Sequence, residues 1–515
     1  MMDRDQAAGY LTDVAYIPGF YPNLAPILLR YVATLNQIAP PPSRGFRYLE
    51  LGCGLGRSLT TLAAANPSGE FVGVDINPEH TAIAAREIAA GSLAKAQVVT
   101  SGFGELPPEL GRFDYIALHG VYSWVAPEIR SQILDVARRH LAPGGLLVVS
   151  YNAMPGWAHL QPIRAILRQY AALRQGDSVQ RVRDGLAYLV FLRDRQAGYF
   201  AANPGAAAYV DSLLRQDPRY IAHEYLNEHW TSFYFTEVAD AFAGAGLGFV
   251  GSLPVHTNFW DLCVRPEFQE LFRTTANRRV TETHKDFCAN TAFRWDVYAN
   301  SPATLPDRRV GTDELHIRLA RPGLQLPHRA ELGAVTSTLQ GPLYESLITR
   351  LGGGSLPVST ILADRSLPVD AADGLIRAID AGVASGLFDL SANPVPAPPT
   401  AVPTRIVVPS PFNRAVLASD ALGGRPVALA SETTGTGHSI GDLDAAILLE
   451  LAAGGSAGIG ERLEARLAAV GKTLQHQGQP VQDAAEQRRL LEQGVAVFSA
   501  ASLPHLLQLG IVAAG

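Results

Sequence analysis

One stretch of the chain, residues 48–57, constrains the fold more than any other. It reads Tyr-Leu-Glu-Leu-Gly-Cys-Gly-Leu-Gly-Arg, and residues 71–78 then read Phe-Val-Gly-Val-Asp-Ile-Asn-Pro. Both begin with apolar residues that favour extended backbone, and the glycines of the first allow a tight turn and a close approach to a ligand. Together they predict a strand, a glycine-rich turn, a helix and a second strand that ends in an acid. Such a unit places a nucleotide-type site at the carboxyl ends of parallel strands.

The glycine spacing permits two cofactors. In a dinucleotide site the last glycine of G-x-G-x-x-G starts a helix against pyrophosphate, whereas this chain has Gly52, Gly54 and Gly56 at alternate positions. Glu50 lies where a phosphate would approach, so a ligand with a positive group is favoured. Asp75 suits two ribose hydroxyls, because an ionised carboxylate accepts both hydrogen bonds. The pair favours S-adenosylmethionine over NAD, with a Rossmann-like fold around an inactive site as the alternative.

Further residues join the predicted cofactor site. The loop after the third predicted strand is expected to cover the adenine, with Phe103 stacking on it. That loop lacks an acid for the adenine amino group, so Ser101 or a backbone carbonyl would replace it. For the aromatic segment around Tyr16, a lid over the cofactor and ordinary packing both stay open. The full predicted set is Tyr16, Glu50, Gly52, Cys53, Gly54, Gly56, Asp75, Ile76, Phe103, Gly104 and His119.

The loop after the fourth predicted strand reads His119-Gly-Val-Tyr-Ser-Trp124. Ligands bind beyond the carboxyl ends of the strands at the point where the strand order reverses, so the reacting atom of the substrate is expected here. Aromatic faces hold ammonium groups, and Tyr122 or His119 would orient or deprotonate an amine. We therefore predict His119, Tyr122 and Trp124 as catalytic residues, with Trp124 and Tyr122 as core residues beneath the loop in the alternative. The loop has no Asp/Asn-Pro-Pro-Tyr pattern, which argues against a nucleic-acid base or a glutamine as methyl acceptor.

The alternation of strands and helices predicts an α/β fold with a doubly wound parallel sheet. Residues 248–254 and 259–264 are expected to close the sheet as a hairpin. A helical insertion at about 156–230 would overhang the substrate side, and its predicted substrate-binding residues are Tyr225, Asn227, His229 and Trp230. His223 and His229 have no third ligand, so we predict no metal site.

The predicted domains follow from these patterns. Residues 1–45 form an N-terminal helical lid, 46–265 the cofactor domain and 266–325 a connecting part. Residues 326–392 have the helix, helix, helix and short-wing outline of a winged helix. The predicted recognition helix at 369–384 carries Asp370, Asp373 and Asp380 against Arg377 alone, so nucleic acid is not an expected partner. A proline-rich linker follows at 393–404. The mainly helical residues 405–515 would serve docking, including substrate capture or a homodimer, or have a purely structural role.

The composition indicates which partners and which cellular compartment to expect. The 515 residues carry a net charge of −6, which gives no general attraction to nucleic acid. The three cysteines have neither metal nor disulfide spacing, which favours a reducing compartment. We see no signal peptide and no apolar run long enough for a membrane span. A cytoplasmic protein of bacterial type is expected.

Residues 46–156 resemble the class I S-adenosylmethionine-dependent methyltransferases. Residues 119–124, 150–157, 223–234, 281–287 and 293–298 are similar to bacterial methyltransferases with a methyltransferase regulatory domain, a family that includes the rickettsial protein lysine methyltransferases of outer-membrane proteins. The resemblance is strong over residues 10–300 and looser beyond. It implies a seven-stranded Rossmann-like sheet, a winged-helix domain, S-adenosylmethionine as donor with S-adenosylhomocysteine as product, and N-methylation of lysines in a protein or peptide. A small-molecule methyltransferase and a non-catalytic S-adenosylmethionine-binding protein remain the alternatives.

Overall fold

The apolar strand segments of the N-terminal half assemble into one mixed sheet. The computed structural model describes residues 19–312, 314–369, 372–399, 401–403, 405–476 and 479–515. The strands of the sheet are β1 (Arg47–Leu51), β2 (Glu70–Asp75), β3 (Ala96–Thr100), β4 (Phe113–Leu118), β5 (Leu141–Asn152), β6 (Leu247–Leu253) and β7 (Phe293–Asn300). Their order is β3-β2-β1-β4-β5-β7-β6, in which β1 to β5 pair in parallel and β7 is antiparallel to both of its neighbours. The predicted seven-stranded Rossmann-like sheet is confirmed.

The strand order places a crevice at the end of β1. Strands β1 and β4 pair side by side, with Glu50 opposite Ala117, although β2 and β3 separate them in the sequence. The chain therefore leaves β1 towards one edge of the sheet and returns at β4 towards the other. Loops diverge at such a switch point and open a binding crevice.

Helices cover both faces of this sheet, and five more form an insertion. The covering helices are α1 (Pro26–Leu35), α2 (Arg57–Ala65), α3 (Pro78–Ala90) and α4 (Pro127–His140). The insertion between β5 and β6 contains α5 (Gln161–Ala172), α6 (Ser178–Asp194), α7 (Gly198–Ala202), α8 (Pro204–Leu213) and α9 (Pro218–Tyr225), and α10 (Phe235–Gly244) returns the chain to the sheet. The insertion has its own apolar core, centred on residues such as Leu167, Leu189 and Val210. Its predicted position and helical character agree with the structure.

The predicted closing hairpin is wrong in its second strand. Residues after β6 form α11 (Trp260–Cys263), α12 (Gln269–Thr274) and α13 (Arg278–Ala289), and the last strand of the sheet is β7 at Phe293–Asn300. A short apolar run such as residues 259–264 fits a helical turn as well as a strand. The true strand was hidden because its buried positions include the charged Arg294 and Asp296. The sheet thus extends into residues that were expected to connect domains.

The third part of the chain combines a small sheet with three helices. Its elements are β8 (His316–Leu319), β9 (His328–Leu332), β10 (Val335–Leu339), α14 (Pro342–Leu351), β11 (Leu356–Pro357), α15 (Val358–Ala363), α16 (Ala372–Ala384) and β12 (Phe388–Ser391). Strands β11, β8 and β12 form one sheet, and β9 and β10 form a hairpin. The first helix of this part begins only at Pro342, because the β-branched alternation of residues 335–338 favours a strand. The winged-helix assignment remains a prediction.

The C-terminal part is mainly helical, as expected, with a central hairpin. Its elements are β13 (Ile406–Val407), α17 (Pro411–Asp420), β14 (Val427–Ser431), β15 (Thr436–Ile440), α18 (Asp442–Gly454), α19 (Ile459–Ala469), β16 (Gln475–His476), β17 (Gln479–Pro480), α20 (Ala484–Val497), α21 (Leu503–Gln508) and β18 (Ala513–Ala514). Gly441 directly follows β15 and is the N-cap of α18.

One helical run of the described residues, Ala484–Gln508, is long and apolar enough to cross a membrane by length and composition alone. Its Leu491, Phe498 and Leu506 are buried in the core of the C-terminal part. Apolar core helices pass the same test, so this run does not indicate a membrane span.

The C-terminal part packs on the helices that follow the glycine-rich turn. Ala64 and Ala65 of α2 belong to the same apolar cluster as Val427 and Leu429 of β14. The side-chain amide of Asn66 donates a hydrogen bond to the carbonyl of Gly435 at 3.0 Å. The C-terminal part therefore supports the helix that starts at the cofactor crevice.

Candidate active site

A cavity opens at the carboxyl ends of β1, β2 and β4. Its space is about 1250 Å³ when the open mouth is included, which is ample for a nucleoside-sized ligand. Of the predicted cofactor residues, the lining includes Glu50, Gly52, Cys53, Gly54, Gly56, Asp75, Ile76, Phe103 and His119. Gly104 lies beside Phe103 without lining the cavity, and Tyr16 lies outside the described residues.

The three glycines of the turn are needed for different structural reasons. All three have positive φ, at 71° for Gly52, 53° for Gly54 and 80° for Gly56. A Cβ on Gly52 would lie 2.5 Å from Val121, and one on Gly56 would lie 2.6 Å from Ala84. A Cβ on Gly54 would meet no atom within 4 Å. Gly52 and Gly56 therefore permit packing within the protein, whereas Gly54 leaves space free in the cavity.

Glu50 is a buried carboxyl group with no ion-pair partner among the described residues. Its side chain lines the cavity, the residue is 5% exposed, and Oε2 has no hydrogen-bond partner among the described residues. Burial, together with the nearby charge of Asp75, raises the pKa of Glu50 to about 8. A ligand with a positively charged group would satisfy the orphaned oxygen. This arrangement fits the amino end of S-adenosylmethionine.

Asp75 at the end of β2 is held rigidly by backbone donors. Its Oδ2 accepts a hydrogen bond from the amide of Gly54 at 2.9 Å, and Oδ1 accepts one from the amide of Asn77 at 2.9 Å. Nδ1 of His80 lies 3.3 Å from Oδ1. Each carboxylate oxygen can accept more than one hydrogen bond, so lone pairs remain for the two ribose hydroxyls. The prediction missed His80, which also lines the cavity. The available signal was its position in the first turn of a helix that begins at Pro78, directly after Asn77.

The wall expected to face the adenine lies between the β3 loop and α4. Ser101, Gly102 and Phe103 line it, and Gln132 of α4 completes it. The Gln132 carbonyl oxygen accepts a hydrogen bond from the amide of Gly104 at 3.2 Å. The hydroxyl of Ser101 donates to the carbonyl of Gly102 at 2.9 Å. Gln132 was also missed, because a glutamine inside an amphipathic helix carries no motif.

His119 sits in an aromatic cluster at the end of β4. Its ring stacks on Trp295 at 4.3 Å between centroids, and the Tyr21 ring lies at 3.8 Å. Burial lowers the pKa of His119 to about 3, so the ring is neutral. Nδ1 lies 2.7 Å from the hydroxyl of Ser150, which also accepts the Gly120 amide at 3.2 Å.

This contact defines the tautomer of His119. Ser150 is fully buried, and no other acceptor for its hydroxyl proton is found among the described residues. The hydroxyl therefore donates to Nδ1, and the ring proton lies on Nε2. In this arrangement Nε2 of His119 is a hydrogen-bond donor, and the predicted role of His119 in deprotonating an amine stays a prediction.

Tyr122 is not in the cavity. It is buried in the core of the sheet, with its ring 5.4 Å from Phe233 and 5.8 Å from Phe242. Residues 119–121, Trp124 and Val125 of this loop line the cavity and Tyr122 does not, so the structure does not support its predicted catalytic role. Trp124 is different: it is buried but lines the cavity, and its indole N–H has no hydrogen-bond partner of normal geometry.

The four predicted substrate residues lie in the insertion but do not line the cavity. The Tyr225 hydroxyl shares a hydrogen bond with that of Tyr209. Trp230 packs on Trp157 at 4.7 Å, and Asn227 is buried. His229 lies in the segment between α9 and α10. The structure therefore gives Tyr225, Asn227 and Trp230 packing roles and does not bring His229 to the cavity.

A carboxyl group that the prediction passed over, that of Glu224, interacts with a residue that lines the cavity. Glu224 of α9 is half-buried. Burial raises its pKa to about 8, against the opposing effects of the Trp124 N–H and of Arg164. Trp124 thus connects the cavity with the insertion. Only the three-dimensional position of α9 shows this, since Trp124 and Glu224 are far apart in the sequence.

The comparisons with known proteins agree with this geometry. Residues 49–147 match the family described as methyltransferase domain, and residues 217–300 match the predicted methyltransferase regulatory domain. An uncharacterized protein of Synechocystis sp. is 29% identical over 512 residues, which are 98% of this chain and 99% of that protein. An uncharacterized protein of Rickettsia prowazekii is 28% identical over 297 residues, 56% of this chain and 52% of that protein.

A similar solved structure extends over nearly the whole chain. PKMT2 from Rickettsia typhi in complex with AdoHcy has a TM-score of 0.73 and 19% sequence identity, with 96% of this chain and 99% of that chain covered. This similarity shows a common fold that includes the C-terminal half. The methyltransferase-domain match confirms S-adenosylmethionine as the predicted cofactor, and the resemblance to methyltransferases with a regulatory domain is confirmed as well. The chain is an S-adenosylmethionine-dependent methyltransferase in which a Rossmann-like methyltransferase domain is joined to a methyltransferase regulatory domain.

Proposed function

We propose that this protein transfers methyl groups to the side-chain nitrogen of lysine in a protein or peptide. The observation that carries the proposal is the aromatic cluster of Tyr21, His119 and Trp295 at the cavity. Tyr21 and His119 line the cavity directly. Aromatic faces attract alkylammonium and methylated ammonium groups, so such a wall suits both a lysine acceptor and its methylated product.

Different residues of the chain would hold different parts of the cofactor. S-adenosylmethionine supplies, when bound, an electrophilic methyl group on a positively charged sulfur. The free oxygen of Glu50 would hold the amino end of this cofactor, and Asp75 the ribose. Gln132 and Phe103 would flank its adenine. Much of the rate enhancement in such a site comes from alignment of the reactants and exclusion of water, which the buried lining residues provide.

The acceptor class has further support. The resemblance to a family that includes rickettsial protein lysine methyltransferases favours lysine, and a structural neighbour of the chain binds AdoHcy. The helical insertion reaches the cavity wall through the interaction of Glu224 with Trp124. A homodimer, a cytoplasmic location and absence of nucleic-acid partners stay predictions beside this proposal.

The test begins with the cofactor and ends with the acceptor. Calorimetry with S-adenosylmethionine and S-adenosylhomocysteine should show binding of both by the full chain, and Glu50→Gln should weaken the first more than tenfold. Isotopically methyl-labelled S-adenosylmethionine is then incubated with the protein and a bacterial extract. Label recovered as methyllysine after hydrolysis of the protein fraction is the expected result. Label only in small molecules would replace the proposal by a biosynthetic methyltransferase, and cofactor binding without transfer would indicate a non-catalytic binding protein.

A further inference from the structure

The insertion presents two side chains next to the cavity. Tyr220 and Glu224 lie four residues apart on α9, so they occupy the same helix face. The Glu224 carboxyl interacts with the indole N–H of Trp124. The Tyr21 hydroxyl is close enough to that of Tyr220 to contribute to the raised pKa of Tyr220. Both Trp124 and Tyr21 line the cofactor cavity. This helix face therefore borders the same cavity from the insertion side.

Glu224 has no cation of its own among the described residues. No ion pair includes it there, although the residue is half-buried. The nearest guanidinium belongs to Arg164, which donates to the carbonyl of Asn227 at 2.6 Å and lies over the Trp230 ring at 5.0 Å. Arg164 is thus held by other groups. A partly desolvated carboxylate without a cation is costly, so such a group often marks a binding site.

The surroundings of Glu224 are otherwise neutral. The groups that face it are the phenols of Tyr209, Tyr220 and Tyr225, the indole of Trp124 and the guanidinium of Arg164. Burial raises the pKa of each of these phenols, so they carry no charge near neutral pH. Glu224 is therefore the one group of this cluster, among the described residues, that gains a negative charge near neutral pH, and a bound cation favours that ionised form. Aromatic rings on several sides and one carboxylate are the components of an alkylammonium site.

We propose that Glu224 binds the acceptor ammonium group, between Tyr220 and Trp124, and accepts one of its protons. This inference rests on the proposed methyl transfer to an amine and adds the residue that recognises the amine. In the step, one proton moves from the ammonium nitrogen to a carboxylate oxygen of Glu224, and the N–H bonding electrons become the lone pair of the neutral amine. The proton is later released to solvent. A carboxyl whose pKa is raised towards 8 by burial takes such a proton more readily than an exposed one.

The experiment uses butylammonium, which has the four-carbon chain and charge of a lysine side chain. Binding to the full chain loaded with S-adenosylhomocysteine is measured by ligand-observed NMR. We expect saturable binding to the wild-type protein and at least tenfold weaker binding to Glu224→Gln. Glu228→Gln is the matched control, because Glu228 is exposed four residues further along the chain, and its affinity should be unchanged. Pentanol, an uncharged molecule of similar length, should not distinguish wild type from Glu224→Gln.

The outcomes separate this inference from the proposed function. Equal butylammonium affinity in wild type and Glu224→Gln, or no saturable binding to wild type, overturns the inference even if protein lysines are methylated. Glu224-dependent binding with no label in the protein fraction would retain the ammonium site and reject a protein acceptor. Should Glu224→Gln fail to bind S-adenosylhomocysteine through misfolding, Glu224→Asp replaces it. That variant keeps the charge but withdraws it by one methylene, so affinity several-fold below wild type is expected, and wild-type affinity would count against the site.

Discussion

The guanidinium of Arg57, in the wall of the cofactor cavity, forms an ion pair with Asp420 of the C-terminal part at 2.7 Å. The same guanidinium lies 3.4 Å from Glu87 of α3. The side chains of Arg57 and Asp420 are only 12% and 29% exposed. Since Arg57 directly follows Gly56, this pair connects the C-terminal part to the first turn of the helix after the glycine loop.

Removal of Asp420 should therefore affect the cofactor site from a distance. In Asp420→Ala the partly buried Arg57 keeps only Glu87, which should lower the free energy of unfolding by about 1–3 kcal/mol. S-adenosylmethionine affinity should fall several-fold because the start of α2 is less restrained. Thermal unfolding and calorimetry check both effects. Glu432→Ala, at an exposed position of the same part, is the control. Unchanged affinity in Asp420→Ala would mean that the ion pair serves stability alone.

Alanine at Gly54 should separate the backbone effect from the ligand effect. Gly54 and Gly45 both have positive φ, at 53° and 66°, and a Cβ on either meets no protein atom within 4 Å. Each alanine should therefore cost about 1–2 kcal/mol through the left-handed backbone. Gly54→Ala should also lower S-adenosylmethionine affinity at least tenfold, because only Gly54 lines the cavity. Equal affinity in the two variants would contradict the proposed position of the cofactor. Gly52→Ala, whose Cβ would lie 2.5 Å from Val121, should be less stable than either.

The sequence was most informative where a feature of the structure requires particular residues at fixed positions along the chain. The glycine turn, Glu50 and Asp75 were predictable because tight turns and ribose contacts require those residues at fixed offsets. Seven strands were predicted, but the seventh was misplaced since Arg294 and Asp296 made a buried strand appear polar. Their burial is possible because Glu282 and Asp286 of α13 pair with Arg294 and the Tyr151 hydroxyl of β5 donates a hydrogen bond to Asp296, and no local pattern shows that.

The acceptor side was predicted less well for a related reason. Aromatic residues in the insertion looked like ligand contacts, yet Tyr225 contacts Tyr209 of α8 and Trp230 packs on Trp157. Whether an aromatic side chain faces a core or a cavity depends on the packing angle of its helix, which one sequence does not specify. Glu224 was overlooked because its environment comes from Trp124, a residue a hundred positions away.

The charged cluster around Arg294 should dominate the stability of the last strand. Arg294 is 4% exposed and pairs with Asp296 at 2.9 Å, Asp286 at 2.7 Å and Glu282 at 2.9 Å. Burial would raise the pKa of Glu282, but Lys285 and Arg294 lower it to about 2. Arg294→Met leaves the carboxylates without their main cation and should cost about 3–5 kcal/mol.

Chemical denaturation at neutral pH measures this loss. Arg273→Met is the comparison, because Arg273 pairs with Glu270 in an exposed position and such pairs contribute about 0–1 kcal/mol. Similar losses in the two variants would show that the cluster is no more important than a surface ion pair.

Glu50 should make empty and cofactor-bound protein respond to pH in opposite ways. Its pKa in the folded protein is about 8 against an ordinary 4.5. A raised folded-state pKa contributes stability that is fully present below about pH 4.5 and is lost as the pH rises through about 8. At pH 9 the empty Glu50→Gln protein should therefore be more stable than wild type, by on the order of 1–4 kcal/mol, whereas near pH 5 the two should differ little.

S-adenosylmethionine affinity of wild type should rise with pH up to about 8, because a positively charged amino end binds the ionised carboxylate. In Glu50→Gln affinity should be weaker and nearly independent of pH over this range. Thermal unfolding and calorimetry across pH 5 to 9 test both statements, and a wild-type affinity that falls with pH would show that Glu50 does not meet the charged end of the cofactor.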